Sequence, residues 1–521
     1  MTGSIKRLDQ RPMTESLLAR NQWRFLGLNA DGVIKYFFAS SAWTAIIVLG
    51  LITFSLFREG LGFFPQHYRN LEIYRLAGLE FVDIARDQGD AYAALTRHLQ
   101  AVRQRHADSA ELAALAAGFD AAGEPLREWL DRWSRHCAAL KERWSVAEEN
   151  RAARALLLKA GLTEEARELA VEQIDFARED APLTVALAEH HAVSAALAAR
   201  VRALLASVDQ LPDAPLRLEL AKFQSAGEKY AAALPQVEAR LSAWRHDRPV
   251  AFYESLTKFV LGGKWVTQSF WQDWYGIIPL FVGSLSISLV ALLVAVPLGV
   301  GAAVYVNQIA TTREQRLIKP FIEFIAVVPS VVLGFFGVAV LGEALRVLSG
   351  WPGLAWVPGF PFPERLNIVT AGLLLALMAV PSIFTFAEDA LNNVPRAYRE
   401  ASLALGSNRW QLIWQIMIPA SLSGIISAVL LGLGRVIGET MVVLLCAGNR
   451  IQIPDFSAGL AVIFQPVHTM TGLIAQEIPE VVKGGLQYRA LFMVAIVLFL
   501  IALLINYVAQ IFVRKYKLAA G

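Results

Sequence analysis

The chain has 521 residues, 55% of them hydrophobic and only 18% charged, with a mean hydropathy of +0.44. Soluble proteins average about 25% charged residues, so an ordinary soluble globule is excluded. A formal net charge of +3 without a basic run argues against a nucleic-acid partner. Two distant cysteines, Cys137 and Cys446, exclude a disulfide framework or a CxxC site.

Charge is unevenly placed. Residues 69–264 carry 29 of the 45 acids and 26 of the 48 bases, leaving 16 acids and 22 bases for the rest. The pattern predicts a soluble block inserted into a membrane protein. Residues 1–35 are polar for too long to begin a cleavable signal peptide, and are expected to be a cytoplasmic segment. A first transmembrane helix is expected at 36–57. Five more follow near 277–306, 318–345, 366–387, 421–447 and 489–513, each long enough to cross about 30 Å of hydrocarbon. Residues 514–521 are left as a cytoplasmic tail. The internal Pro297, Pro329 and Pro381 are compatible with such helices, because neighbours can satisfy the backbone groups they free.

The inserted block, 65–265, reads as an antiparallel helical bundle. Leu126, Leu130, Trp133, Cys137, Leu140, Trp144 and Ala147 recur in steps of four and three. Pro125 is placed in a first helical turn and Gly161 at a stop. A second stripe, Leu183, Leu187, Leu197, Val201, Leu204 and Val208, follows Pro182. Breaks are expected at Gly118–Gly123, Gly161–Thr163, Asp180–Pro182 and Leu211–Pro215. His190 and His191 cannot share a helix face and, with no acid or Cys arranged around them, read as a surface pair and not a metal site. Trp265, Trp271 and Trp274 read as an interfacial aromatic belt.

Lys and Arg in the short flanks set the orientation. Fifteen (Lys6, Arg7, Arg11, Arg20, Arg24, Lys35, Arg313, Arg316, Lys319, Arg396, Arg399, Arg409, Arg514, Lys515 and Lys517) lie on one side, against six on the other. Both termini are therefore expected in the cytoplasm and the block outside.

Two stretches carry the function. Loop 396–419 contains Glu400-Ala401-Ser402, Gly406, Ile416 and Pro419: a short helix, a glycine break, a second amphipathic helix and a proline opening the next span. In the fifth span Arg435 and Glu439 stand four apart, close enough to pair, beside Thr440. A charge at bilayer depth costs at least ~2.5–3.5 kcal/mol and is expected to face a pathway or a partner. Arg suits an oxyanion because its planar fork donates two parallel hydrogen bonds. Gly434 and Gly438 form a GxxxG step expected to admit a neighbouring helix. Glu323 is a second carboxylate, either on the pathway or snorkelling to the interface.

The 396–419 loop resembles the EAA signature (E-A-A-x3-G-x9-I-x-L-P) of permease subunits of ABC importers, with Ser402 and Ile418 as departures. The runs from Tyr275, Val328 to Gly337, Gly434 to Met441 and Ile478 to Tyr488 are similar to the phosphate-specific transport (Pst) permeases, the C-type subunit above all. The resemblance covers about 251–517, the first span and Glu59–Phe64, and leaves the inserted block unmatched. It implies an all-α membrane protein with a six-helix type I ABC-importer permease core and an extracytoplasmic bundle between the first two spans. It also implies an inorganic-phosphate importer subunit in the bacterial inner membrane, with no cofactor of its own. Its partners would be an A-type permease, two ATPase chains that hold ATP and Mg, and a periplasmic phosphate-binding protein. Without G-x-x-x-x-G-K-[ST], the chain is expected not to be an enzyme. Another oxyanion (phosphonate, sulfate or molybdate) or a phosphate-sensing scaffold is the alternative.

Overall fold

A computed structural model describes residues 30–106, 109–208, 214–267, 269, 273–354, 356–362 and 364–517. Residues 1–29, Trp271, the expected break at 211–213 and tail residues 518–521 lie outside them. The regular structure of the described residues is helical apart from one short antiparallel ladder, β1 (Trp265–Val266) with β2 (Trp274–Tyr275), and a parallel bridge between Gly448 and Val467.

Helix α1 (Ala30–Leu61) is followed at once by α2 (Phe63–Leu76), so the predicted domain boundary at 65 falls inside a helix. The inserted bundle is built from α3 (Leu79–Arg105), α4 (Ala110–Lys159), the short α5 (Thr163–Glu168) and α6 (Phe176–Glu179), α7 (Leu183–Val208) and α8 (Ala214–Ser242). Its centre is large and apolar: Phe119, Phe223, Leu112, Leu220 and Val201 are fully buried. The first predicted stripe faces inward at Leu126, Trp133, Cys137, Leu140 and Ala147. Gly161, at φ +80°, follows the helix end, as glycine without a Cβ can.

Two bundle expectations are corrected. α4 runs unbroken through Gly118–Gly123, and Pro125 sits in its interior. Pro125 is exposed, so water can bond the carbonyl it frees. His190 is not at the surface: it is fully buried and donates from Nε2 to Gln88 Oε1 at 2.9 Å, while only His191 faces outward, toward Glu238.

The two ends of the insertion meet. Arg75, almost wholly buried, donates to Glu80 at 2.7 and 3.1 Å and to Glu254 at 2.9 Å. It also reaches the Arg248 and Pro249 carbonyls, which ties α2 to the segment entering α9 (Phe252–Val260). Lys264 clamps Asp87 and Asp90 of α3. Trp265 and Tyr275 are buried with Phe63, Phe259, Met470, Leu473 and Leu491, and Trp274 packs edge-on to Tyr74. The predicted aromatic belt is therefore, at Trp265 and Trp274, the root that joins insertion to core.

Beyond it come α10 (Ile278–Val304), α11 (Thr312–Val327), α12 (Ser330–Phe336) continued by a π segment into α13 (Gly342–Ser349), and α14 (Ile368–Asn392). The loop helices α15 (Arg396–Ala404) and α16 (Arg409–Gln411) precede α17 (Ile418–Gly438), α18 (Met441–Cys446), α19 (Met470–Glu477) and α20 (Leu486–Lys517). The predicted spans at 318–345 and 421–447 are each broken. The first breaks at Val328, which takes extended geometry (ψ 123°) ahead of Pro329, where the ring disfavours a helical turn. The second breaks at Glu439–Thr440. α20 runs on to Lys517, through part of the predicted tail.

Seven stretches among the described residues are long and apolar enough to cross a membrane: Lys35–Leu76, Phe176–Val208, Ile278–Ile309, Ser330–Ser349, Ile368–Asn392, Arg409–Gly438 and Leu486–Phe512. The second of these was not among the predicted spans. Its helix α7 packs between α4 and α8 of the bundle.

Candidate functional site

Arg435 lies in α17 and Glu439 just beyond its end, and the two do not pair. α17 stops at Gly438, and Glu439 takes extended geometry at φ −72°, ψ 136°. This swings its side chain out of the i, i+4 relation that the sequence suggested. Arg435 Nη1 instead donates to Ser382 Oγ of α14 at 2.7 Å. Glu439 Oε1 accepts from the Met441 amide at 3.1 Å, and Thr440 stands immediately before α18.

The break is closed over by α19. Thr471 Oγ1 donates to the Glu439 carbonyl at 2.8 Å, and the Met470 amide donates to Ser284 Oγ of α10 at 3.0 Å. Ser284, Ser288, Glu439, Thr469 and Thr471 form the polar side of a narrow crevice whose other side is Ile287, Leu375, Val436 and Val443. Irregular backbone at membrane depth is tolerated where it is buried in protein or lines a cavity, so this break marks a candidate site. Ser382, Thr471 and Ser284 were missed from the sequence. Single hydroxyls in apolar runs carry no signal until the fold sets them opposite a broken helix.

Other predicted residues fall elsewhere. Glu323 is exposed on α11, away from this break. The buried carboxylate near that end is Glu388 of α14, paired with Lys319. Gly434 and Gly438 receive no close helix from the described residues of this chain: the nearest foreign atom to a Cβ at Gly434 would be Ile505 at 4.0 Å, and at Gly438 there is none within 4 Å. Close approach occurs two residues before Gly434, where a Cβ on Gly432 would meet Ile383 at 2.7 Å. Both glycines of the GxxxG step thus face open space within this chain, the second at the end of α17.

The 396–419 loop has the predicted first half. Glu400 and Ala401 are exposed on α15, Ser402 is buried, and Gly406 at φ +83° turns the chain. Asn408 and Gln411 cap α16 reciprocally. The second half differs: Pro419 does not open a new helix. A π segment, Leu412–Met417, carries α16 directly into α17 with Ile416 half-buried. Its wider turn makes room for a proline ring that would otherwise meet the Gln415 carbonyl. The loop's outer face is apolar, with Tyr398, Trp410 and Trp414 exposed and Leu405 88% exposed at the turn.

Comparison with known proteins places these features. Residues 295–518 match the family model for the binding-protein-dependent transport system inner membrane component. The phosphate transport system permease protein PstC of Haemophilus influenzae is 30% identical over 285 residues, 52% of this chain and 87% of that protein. The PstC of Pasteurella multocida is 31% identical over 48% of this chain and 78% of its own length. PstC 1 of Mycobacterium tuberculosis is 33% identical over 47% and 75%. Among solved structures, an inward-facing MetNI methionine ABC transporter aligns with 46% of this chain and 94% of its own, at 18% identity and a TM-score of 0.33. The chain belongs to the inner-membrane permeases of binding-protein-dependent ABC transport systems, as a multi-pass, non-catalytic component homologous to PstC.

Proposed function

We propose that this chain is the C-type permease of an ATP-driven importer of inorganic phosphate. α1, α10, the α12–α13 rod, α14, the α16–α17 rod and α20 are its six spans. α7 stays in the bundle, because its apolar stripe is spent on bundle neighbours and it carries the buried, hydrogen-bonded His190. The Lys/Arg asymmetry puts both termini in the cytoplasm and the bundle outside. An A-type permease completes the path, two ATPase chains drive it, and a phosphate-binding protein delivers the substrate. Coupling runs through Glu400, Ala401, Ser402, Gly406, Ile416 and Pro419, with the exposed Leu405 turn seated on an ATPase chain.

The observation that carries this reading is Arg435 beside a broken helix in an apolar layer, held by a neutral serine and not by a carboxylate. An arginine with no ionic partner keeps its attraction for an oxyanion. Glu439, turned away, repels an anion enough to keep it from lodging. It can also accept a proton from hydrogen phosphate, which sulfate at neutral pH cannot offer. The test is uptake by the assembled transporter. Arg435→Ala should reach normal membrane levels and lose nearly all phosphate uptake, and Arg435→Lys should stay poor because a point charge lacks the fork. Normal uptake by Arg435→Ala would remove the assignment. Stronger competition by sulfate, molybdate or a phosphonate than by phosphate would move the substrate to that anion.

A further inference from the structure

The Glu439 break needs something to hold its shape, because a carbonyl freed from a helix in an apolar layer must find a donor. Thr471 supplies it at 2.8 Å. The hydroxyl of Thr471 is itself buried, and burying it costs free energy unless it is bonded. That bond meets the first need, and the second is shared with Thr469, whose Oγ1 lies 3.3 Å from that of Thr471. The segment that carries Thr471 is fastened a second time through Ser284 and Met470. It lies so close to α10 that a Cβ on Gly283 would come within 2.1 Å of the His468 carbonyl oxygen.

Resting on the reading of Arg435 as part of the anion path, we propose that Thr471 is a positioning residue for transport. Its hydroxyl latches segment 468–477 onto the helix break, and that segment lifts before the oxyanion reaches Arg435. A neutral hydrogen bond has a modest net strength, so the latch opens within a transport cycle, where a buried ion pair would resist. Once open, water or the anion can bond the groups that are parted. Behind the latch, Met470 and Leu473 pack on Phe63, Phe259 and Trp265, so the gate rests against the root of the inserted bundle.

The test uses the complete transporter in proteoliposomes, with native chain, Thr471→Val, Thr471→Ser and Arg435→Ala compared. Removing one hydrogen bond shifts a closed–open equilibrium about fivefold. ATP hydrolysis without binding protein should therefore rise about fivefold in Thr471→Val. The KM for phosphate should stay near native, and Thr471→Ser should restore the low basal rate. Unchanged basal hydrolysis in Thr471→Val, or no rescue by serine, overturns the latch. Should Thr471→Val fail to accumulate, Ser284→Ala loosens the second fastening and must raise basal hydrolysis, and its failure to do so also overturns the latch. A dead Arg435→Ala with an unaltered Thr471→Val removes the latch alone. Native uptake by Arg435→Ala removes the path reading beneath it.

Discussion

The inserted bundle and helix α10 of the membrane core differ in where they place their large residues. In the bundle, rings and branched chains such as Phe119, Phe223, Trp129 and Leu112 are inside and charges cover the outside. In the core the order reverses along α10: Ala291 and Ala295 are fully buried, while Leu293 is 75% exposed and Leu289 67%. Water drives the first arrangement, since burying a large apolar side chain is worth about 1.5–3 kcal/mol. Lipid offers no such reward, so small residues that let backbones approach decide the second. Substitutions of opposite size should therefore damage the two regions.

The largest effect is expected from Gly283→Val. A Cβ there would come within 2.1 Å of the His468 carbonyl oxygen, a backbone atom that can yield only if segment 468–477 leaves α10, and within 3.3 Å of the Val467 Cβ. The core should not assemble. Immunoblots of membranes should show little chain, and ATPase subunits should not co-purify. A normally assembled complex would show that the α10–α19 contact is looser than drawn.

Next comes the reverse change in the bundle. Phe119→Ala removes a fully buried ring that packs edge-on to Phe223, and should cost the bundle about 3–5 kcal/mol. The two cysteines report on the regions separately. Cys137 is in the bundle, where burial pushes its thiol up to about 12, and Cys446 is in the core. Thiol labelling in rising urea should move to lower concentration at Cys137 and stay in place at Cys446. Equal shifts at both would mean that the regions unfold as one unit.

The same contrast explains what could be read from the sequence. Bundle stripes were legible because water makes large residues recur at the helical period, as from Leu126 to Ala147. The tether between the insertion's ends was not legible, since Arg75 gives no sign in sequence that it will be buried among Glu80 and Glu254. In the core, apolar runs showed where helices lie but not where they stop. The break after Val327 had only a weak signal, since Pro329 disfavours helix at Val328 while Pro297, Pro320 and Pro381 lie inside unbroken helices. The break at Glu439 had none comparable, so Arg435 and Glu439 were set on one helical face when the chain parts them. His190 was misplaced for a related reason: its buried partner, Gln88, lies 102 residues away.

The smallest effect should come from the clamp between the two regions. Lys264 lies 2.8 Å from Asp87 and 3.4 Å from Asp90, with each side chain about half exposed or more. Solvated pairs of this kind contribute about 0.2–1 kcal/mol and weaken with salt. Lys264→Gln should therefore move Cys137 labelling in urea only slightly, and less at high ionic strength. Transport should be unchanged, because the buried Arg75 contacts and the Phe63–Trp265–Tyr275 cluster hold the root without it. A large shift would mean that charge, and not the apolar root, fixes the bundle to the core. The contrast between a water-driven bundle and a close-packed core would then fail at the point where they join.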